Sequence, residues 1–217
     1  MQVDLVRAAE LAGHLLNIQA VKLSPEAPFT WASGWLSPIY CDNRKTLSAP
    51  AVRDFIKTAF SDAILSLEEQ PEIIAGVATG GIAIGALVAD VLDLPYVYVR
   101  ASAKGHGLGN LIEGGSVEGK KVLVIEDLIS TGKSSLTAVE ALRDAGATVL
   151  QMLSIFTYGF DVAQKAIEDA DLSFSAMTDL SSLLEVAEKE DLISQEMSAT
   201  IERWRADPAQ WGKMTMI

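Results

Sequence analysis

Two adjacent carboxylates at the end of an apolar run are the first residues here that could do chemistry. The stretch "VLVIEDLISTGKSS", Val122 to Ser135, runs straight from four apolar residues into Glu126 and Asp127. A small polar turn with Gly132 follows, and then helical spacing. The "TGKS" within it invites comparison with a nucleotide-binding P-loop, whose first glycine belongs five residues before Gly132. That position is Asp127, so the pattern fails, and an acid there would repel a triphosphate. A single phosphate fits better. Ser130, Thr131, Gly132, Lys133 and Ser134 open a helix, where backbone N–H groups and hydroxyls can hold one phosphate. Glu126 and Asp127 lie a few residues earlier, within reach of the hydroxyls of a sugar bearing that phosphate, directly or through hydrated Mg²⁺. The alternative is a strand end with solvated acids before a capped helix, and the phosphate-type turn argues against it.

A second loop is "RASAKGHGLGNLIEGG", Arg100 to Gly115. Between Leu94 and Ile112 there is no Asp or Glu, although the chain is strongly acidic. Arg100, Lys104 and His106 sit among Gly105, Gly107 and Gly109. Glycines supply mobility and the cations supply an anionic target, which suggests a lid closing over a highly charged group. A dinucleotide fingerprint is the wrong fit, because no helix follows the glycines. A solvated hairpin tip is the other alternative. A third loop, "GVATGG" from Gly76 to Gly81, turns on small residues including Thr79 and Gly80. It would let backbone N–H groups approach a pyrophosphate, though many α/β folds use such turns for packing alone. A sugar phosphate carrying a second, larger anion describes 5-phosphoribosyl 1-diphosphate.

These loops need a scaffold. Helical spacing covers Val3 to about Ala20 and Pro50 to Glu69. Between them, residues 22–50 are rich in Pro, Ser, Gly and aromatics and predict short strands and loops. From residue 73 apolar runs ("IIAGVA", "PYVYVR", "KKVLVIED", "ATVLQMLSIFTY", "LSFSAM") alternate with helical segments, one of which stops at Gly146. Uninterrupted apolar strands between helices predict an α/β fold with a mainly parallel sheet covered on both faces. All three loops then leave carboxyl ends of strands, where such sheets bind ligands. Residues 181–204 predict surface helices with many acids. One domain spanning 1–217 is expected, with a helix and hood segment at 1–50, a core at 51–180 and C-terminal helices at 181–217.

Composition narrows the partners. The formal net charge is −12, the wrong sign for a general nucleic-acid or anionic-membrane binder. Cys41 is the only cysteine, so no intrachain disulfide is possible and a reducing, cytoplasmic location is expected. Ile73 to Ala89 is uncharged, but Thr79-Gly80-Gly81 breaks it and Asp90 follows, against a membrane span. There is no His/Cys cluster with metal-ligand spacing, so Mg²⁺ is expected to arrive with a diphosphate, with Glu126 and Asp127 as its protein partners.

The same residues carry a resemblance. "VLVIEDLISTGKS" resembles the phosphoribosyl diphosphate motif of type I phosphoribosyltransferases. "FTWASGWLSPIYCDNR", Phe29 to Arg44, and the lid "RASAKGHGLGNLIEG" resemble signatures of the orotate phosphoribosyltransferases among them. The resemblance spans about residues 15–170. It implies the type I fold with a small N-terminal hood, and transfer of phosphoribose from 5-phosphoribosyl 1-diphosphate to orotate in pyrimidine biosynthesis, with Mg²⁺. It implies catalytic roles for Arg100, Lys104 and His106 on the diphosphate, beside Asp127 on the ribose. Glu126, Asp127, Leu128, Ile129, Ser130, Thr131, Gly132, Lys133 and Ser134 correspond to the phosphoribosyl loop. Ser130, Phe29, Tyr40 and Cys41 correspond to the surroundings of orotate. It further implies a homodimer in which each lid reaches the neighbouring site, and Trp31, Trp35 and Ile39 are apolar residues expected in loops that could pack on a partner. The chain departs from the family at three places: Ala101 replaces a second lid cation, Gly80 replaces a lysine, and "IFTYGF" stands where many members have an arginine for orotate. Lys22, Arg44 and backbone amides are then the candidates for the orotate carboxylate. A purine phosphoribosyltransferase would lack the Phe29–Arg44 signature. A regulator that senses phosphoribosyl diphosphate and binds nucleic acid would bring a basic domain.

Overall fold

The computed structural model describes residues 5–31, 34–102 and 111–211. The chain opens with α1 (Leu5–Asn17), whose Leu11 and Leu15 are buried. Four short strands follow: β1 (Val21–Leu23), β2 (Phe29–Thr30), β3 (Leu36–Ser37) and β4 (Ile39–Cys41). β1 pairs with β4 and β2 with β3, both antiparallel, and neither pair joins the main sheet. A 3₁₀ turn (Asn43–Ser48) leads into α2 (Pro50–Leu65), which starts on a proline, a residue whose fixed φ suits the first helical position.

The main sheet is built from β5 (Ile73–Val77), β6 (Tyr96–Val99), β7 (Ile112–Glu113), β8 (Lys121–Ile129), β9 (Thr148–Thr157) and β10 (Phe174–Asp179), with spatial order β10-β9-β8-β5-β6-β7. Five of these strands are parallel. β5 is buried at every position, as a strand covered on both faces must be. α3 (Gly80–Leu92), α4 (Lys133–Asp144) and α5 (Asp161–Asp169) are the crossovers. Gly146, at φ +85°, follows the end of α4, and its N–H donates to Arg143 O, the left-handed stop its position predicts.

Two features depart from expectation. β7 is antiparallel to β6 and closes the sheet edge; at two residues it is too short to leave a periodic signal. The C-terminal helices α6 (Leu180–Lys189) and α7 (Gln195–Ala206) are not merely surface elements. α6 buries Leu180, Leu183, Leu184 and Ala187, and α7 fully buries Ile201 and Trp204. Their acids occupy the outward positions, so acidic composition hid an apolar inner face. Each helix has its N-cap: Asp179 accepts from Ser182 N–H at 2.8 Å, and Ser194 from Met197 N–H at 3.2 Å.

The core is tightest where α3 meets the sheet. A methyl group at Gly81 would collide with the Ile125 carbonyl oxygen, and one at Gly76 would lie 2.7 Å from Gly81 O. Both obstacles are backbone and cannot rotate away. Gly81→Ala is therefore expected to lower the unfolding free energy by about 1–3 kcal/mol, the range for overpacking a well-filled core. A fall in the urea midpoint with an unchanged m-value checks this; an unchanged midpoint refutes the constraint.

Candidate active site

The loops singled out from sequence leave the carboxyl ends of β5, β6 and β8, which are sheet neighbours. They border one pocket of about 370 Å³, lined by Ala78, Arg100, Thr131, Lys133 and Ser134 among others. The turn Ser130–Gly132 carries the chain into α4, with Gly132 at φ +77° and the side chains of Lys133 and Ser134 exposed. The first turn of α4 thus presents unpaired backbone N–H groups and a lysine to the pocket, a setting for a phosphate.

The two acids are placed very differently. Glu126 is buried, and both of its oxygens are engaged inside the protein. Oε1 accepts from Asp127 N–H at 2.9 Å and Oε2 accepts from Ser135 Oγ–H at 2.8 Å. Burial pushes its carboxyl well above the usual range, the adjacent Asp127 adds to this, and the Ser135 hydroxyl pulls the other way. Glu126 faces inward, where a buried carboxylate must find donors, so Asp127 is the more exposed of the two acids. Asp127 is half-buried, and its carboxylate occupies the space beside Gly80 that any side chain there would fill.

Asn43 is a site residue that the sequence did not single out. It is buried, its Nδ2 donates to Asp127 O at 2.6 Å, and its Oδ1 accepts from Cys41 Sγ–H at 3.3 Å. It ties the hood to the end of β8 across 84 residues of sequence. Ser135, one residue past the predicted loop, was missed similarly. A single buried Asn or Ser carries no periodic or motif signal by itself.

Arg100 stands at the mouth of the hairpin β6–β7. Its N–H donates to Leu111 O at 2.8 Å, and its Nη1 lies 3.6 Å from Glu113 Oε1. Among the described residues that Nη1 is buried and makes no hydrogen bond, its contact to Glu113 being an ion pair, and Arg100 lines the pocket wall. Lys104 and His106 lie outside the described residues.

On the hood, Lys22 is paired across strands with Tyr40, and the Phe29 ring is 5.6 Å from that of Tyr40. Cross-strand partners share a face, so Lys22, Tyr40 and Phe29 form one surface. Lys22 and Phe29 also line an open pocket of about 460 Å³. Cys41 faces the other way, buried, and burial together with Asp127 raises its thiol pKa well above the ordinary value. Ser130 is half-buried at the end of β8. Arg44 is held by Asp42 at 2.6 Å. Ile39 is fully buried in β4, and the half-buried Trp31 packs on Tyr158 and Trp204, with Trp35 stacked against it. Among the described residues no three His, Cys, Asp or Glu side chains group as metal ligands, and no helix is long and apolar enough to cross a membrane.

Comparison with known proteins agrees with this architecture. Residues 44–174 match the phosphoribosyl transferase domain family. The orotate phosphoribosyltransferase of Bacteroides fragilis is 54% identical over 200 residues, covering 92% of this chain and 94% of its own. That of Listeria innocua is 50% identical over 204 residues, covering 94% and 98%. Among solved structures, the orotate phosphoribosyltransferase of Aeropyrum pernix superposes with a TM-score of 0.72 at 28% identity, covering 85% of this chain and 99% of its own. With more than half its length matched by the domain family and relatives at this identity over nearly their whole length, the chain belongs to the phosphoribosyltransferases, and among them to the orotate phosphoribosyltransferase family.

Proposed function

We infer that this protein transfers the 5-phosphoribosyl group of 5-phosphoribosyl 1-diphosphate to orotate, giving orotidine 5′-phosphate and diphosphate in pyrimidine biosynthesis. The observation that carries the reading is the meeting of three anion-suited loops in one pocket at the carboxyl edge of the sheet, in a chain half identical to orotate phosphoribosyltransferases. The turn Ser130–Ser134 and the start of α4 take the 5-phosphate, and Asp127 takes the ribose hydroxyls. Glu126 acts one step back: by accepting from Asp127 N–H and Ser135, it locks the strand end to the helix start. Arg100, with Lys104 and His106, takes the diphosphate, and the lid excludes water. The ribose C1–O bond breaks as orotate N1 approaches, and the negative charge of Asp127 favours the cation-like ribose that develops. No protein nucleophile is required, because orotate supplies it. The hood face bearing Phe29 and Tyr40 lies against orotate, with Ser130 opposite; Lys22, on that same face, is the stronger of the two side-chain candidates for the carboxylate, since Arg44 is already paired.

Mg²⁺ fits this chemistry in one way. Glu126 is buried and already accepts from Asp127 N–H and Ser135, so the more exposed Asp127 is the protein carboxylate better suited to it. When bound it neutralises the departing diphosphate. A homodimer with each lid serving the neighbouring site, in the cytoplasm, completes the reading.

Incubation with orotate, 5-phosphoribosyl 1-diphosphate and Mg²⁺ is expected to consume orotate, followed by its absorbance, and excess chelator to stop it. No loss of orotate alongside turnover of a purine base would overturn the substrate; undiminished turnover in chelator would overturn the metal.

Gly80→Ala should separate geometry from stability. The obstacle there is the end of a side chain, not backbone, so the fold survives while the Asp127 carboxylate is displaced. Turnover is expected to fall on the order of 10²-fold with little change in thermal midpoint. Full activity in this variant would show that Asp127 does not need its observed position.

Lys104→Ala and Asp127→Asn are each expected to be inactive, with Lys104 carrying a larger share of the diphosphate charge because Ala101 replaces a second cation. Refolded together, they form hybrid dimers. If each lid works in the neighbouring site, one site per hybrid carries neither defect and activity returns. Verified hybrids without activity would rule out the shared site.

A further inference from the structure

We propose that Trp204, on the C-terminal helix α7, is a positioning residue for the hood, so that α7 sets the affinity for orotate without touching it. This rests on the reading above that the hood face meets orotate. The ribbon formed by β2 and β3 has two residues per strand and pairs with nothing else. So small a two-stranded ribbon does not hold its shape in water unaided. Its anchor is aromatic. Trp31, the residue after β2, has its ring centroid 5.2 Å from Tyr158, 6.4 Å from Phe160 and 5.6 Å from Trp204. Trp204 is in turn 5.6 Å from Tyr158 and 5.3 Å from Phe160, both edge-to-face, while Tyr158 and Phe160 stack at 5.4 Å. Four rings from three parts of the chain thus close on one another: the hood, the turn between β9 and α5, and α7.

Hydrogen bonds give this cluster direction. Trp204 Nε1–H donates to Leu36 O, in β3, at 3.1 Å, across 168 residues of sequence. Trp31 Nε1–H donates to Ile39 O, in β4, at 3.4 Å. The ribbon turn itself is fastened by Trp31 N–H to Trp35 O at 2.9 Å. Trp204 therefore holds the ribbon twice, by its ring against Trp31 at the end of β2 and by its N–H on the backbone of β3. Trp204 is fully buried and away from the phosphate loop. Phe29 and Tyr40 sit on the same small hood, so a shift of the ribbon moves Phe29 directly. The phosphoribosyl pocket is built on β5, β6 and α4, to which this cluster contributes no residue.

That division predicts a kinetic split in the full-length enzyme. Trp204→Phe keeps a ring but removes the donor to Leu36. It is expected to raise the KM for orotate roughly threefold, and Trp204→Ala about tenfold or more, while the KM for 5-phosphoribosyl 1-diphosphate stays within about twofold. A purely structural role would instead reduce the active fraction, lowering the maximal rate and leaving both KM values in place. Should Trp204→Ala fail to fold, Trp204→Phe alone decides, and an unchanged orotate KM in it overturns the proposal. Phe29→Ala reports on the hood itself. A raised orotate KM in Phe29→Ala with none in the Trp204 variants refutes the positioning role alone. No change in any of the three refutes it together with the hood's contact with orotate.

Discussion

The close approach of α3 to the end of β8 is the constraint on which the site depends. Gly76 and Gly81 bring helix and sheet backbones nearer than any side chain permits, and Gly80 leaves room for the Asp127 carboxylate at the mouth of that contact. The small-residue turn therefore serves packing first, and its benefit to a ligand follows from the packing. By removing every Cβ at the crossing, the sheet can set two strand ends and a helix start around one small volume. The same crossing gives Gly80 a chemical meaning, since the place of a side chain is taken by an acid from the neighbouring strand.

Around that crossing, polar groups are shared so that none near the strand end is wasted. Glu126 satisfies Asp127 N–H and Ser135 Oγ–H, and Asn43 satisfies Asp127 O. Asp127 is thus held by its own backbone from both sides, by a buried carboxylate and a buried amide, while its side chain lies beside Gly80. Fixed backbone at the reacting edge is what preorganisation requires, and it comes here from groups that do not themselves face substrate. The protein's charge poses a further problem. A net charge of −12 repels a polyanionic substrate at long range. Attraction must then be local: Arg100 and Lys133 at the pocket wall, and the N–H groups at the start of α4.

The hood solves a different problem. It is too small to have a core of its own, and it borrows one from the aromatic cluster that Trp31 shares with Tyr158, Phe160 and Trp204. Tyr158 lies within the "IFTYGF" stretch. It is fully committed here, and burial holds its hydroxyl well above the ordinary pKa. That position is given to packing in this chain.

Sequence alone determined the order and nature of most elements, because uninterrupted apolar runs and helical spacing are local properties. The strand through Glu126-Asp127, which runs on to Ile129, the helix opening at Lys133 and the stop at Gly146 were legible for that reason. So were the loops that suit a phosphate, whose residues are adjacent in the chain. Tertiary structure alone decided which of two neighbouring acids is buried, since strand alternation gives opposite faces to both without saying which face is covered. It alone joined Asn43 to Asp127 and Trp204 to Leu36, pairs separated by 84 and 168 residues, because a hydrogen bond between distant residues leaves no pattern in either neighbourhood. It also gave Trp31 and Ile39 their neighbours within the chain: an apolar residue in a loop must be covered, but its sequence does not say by what.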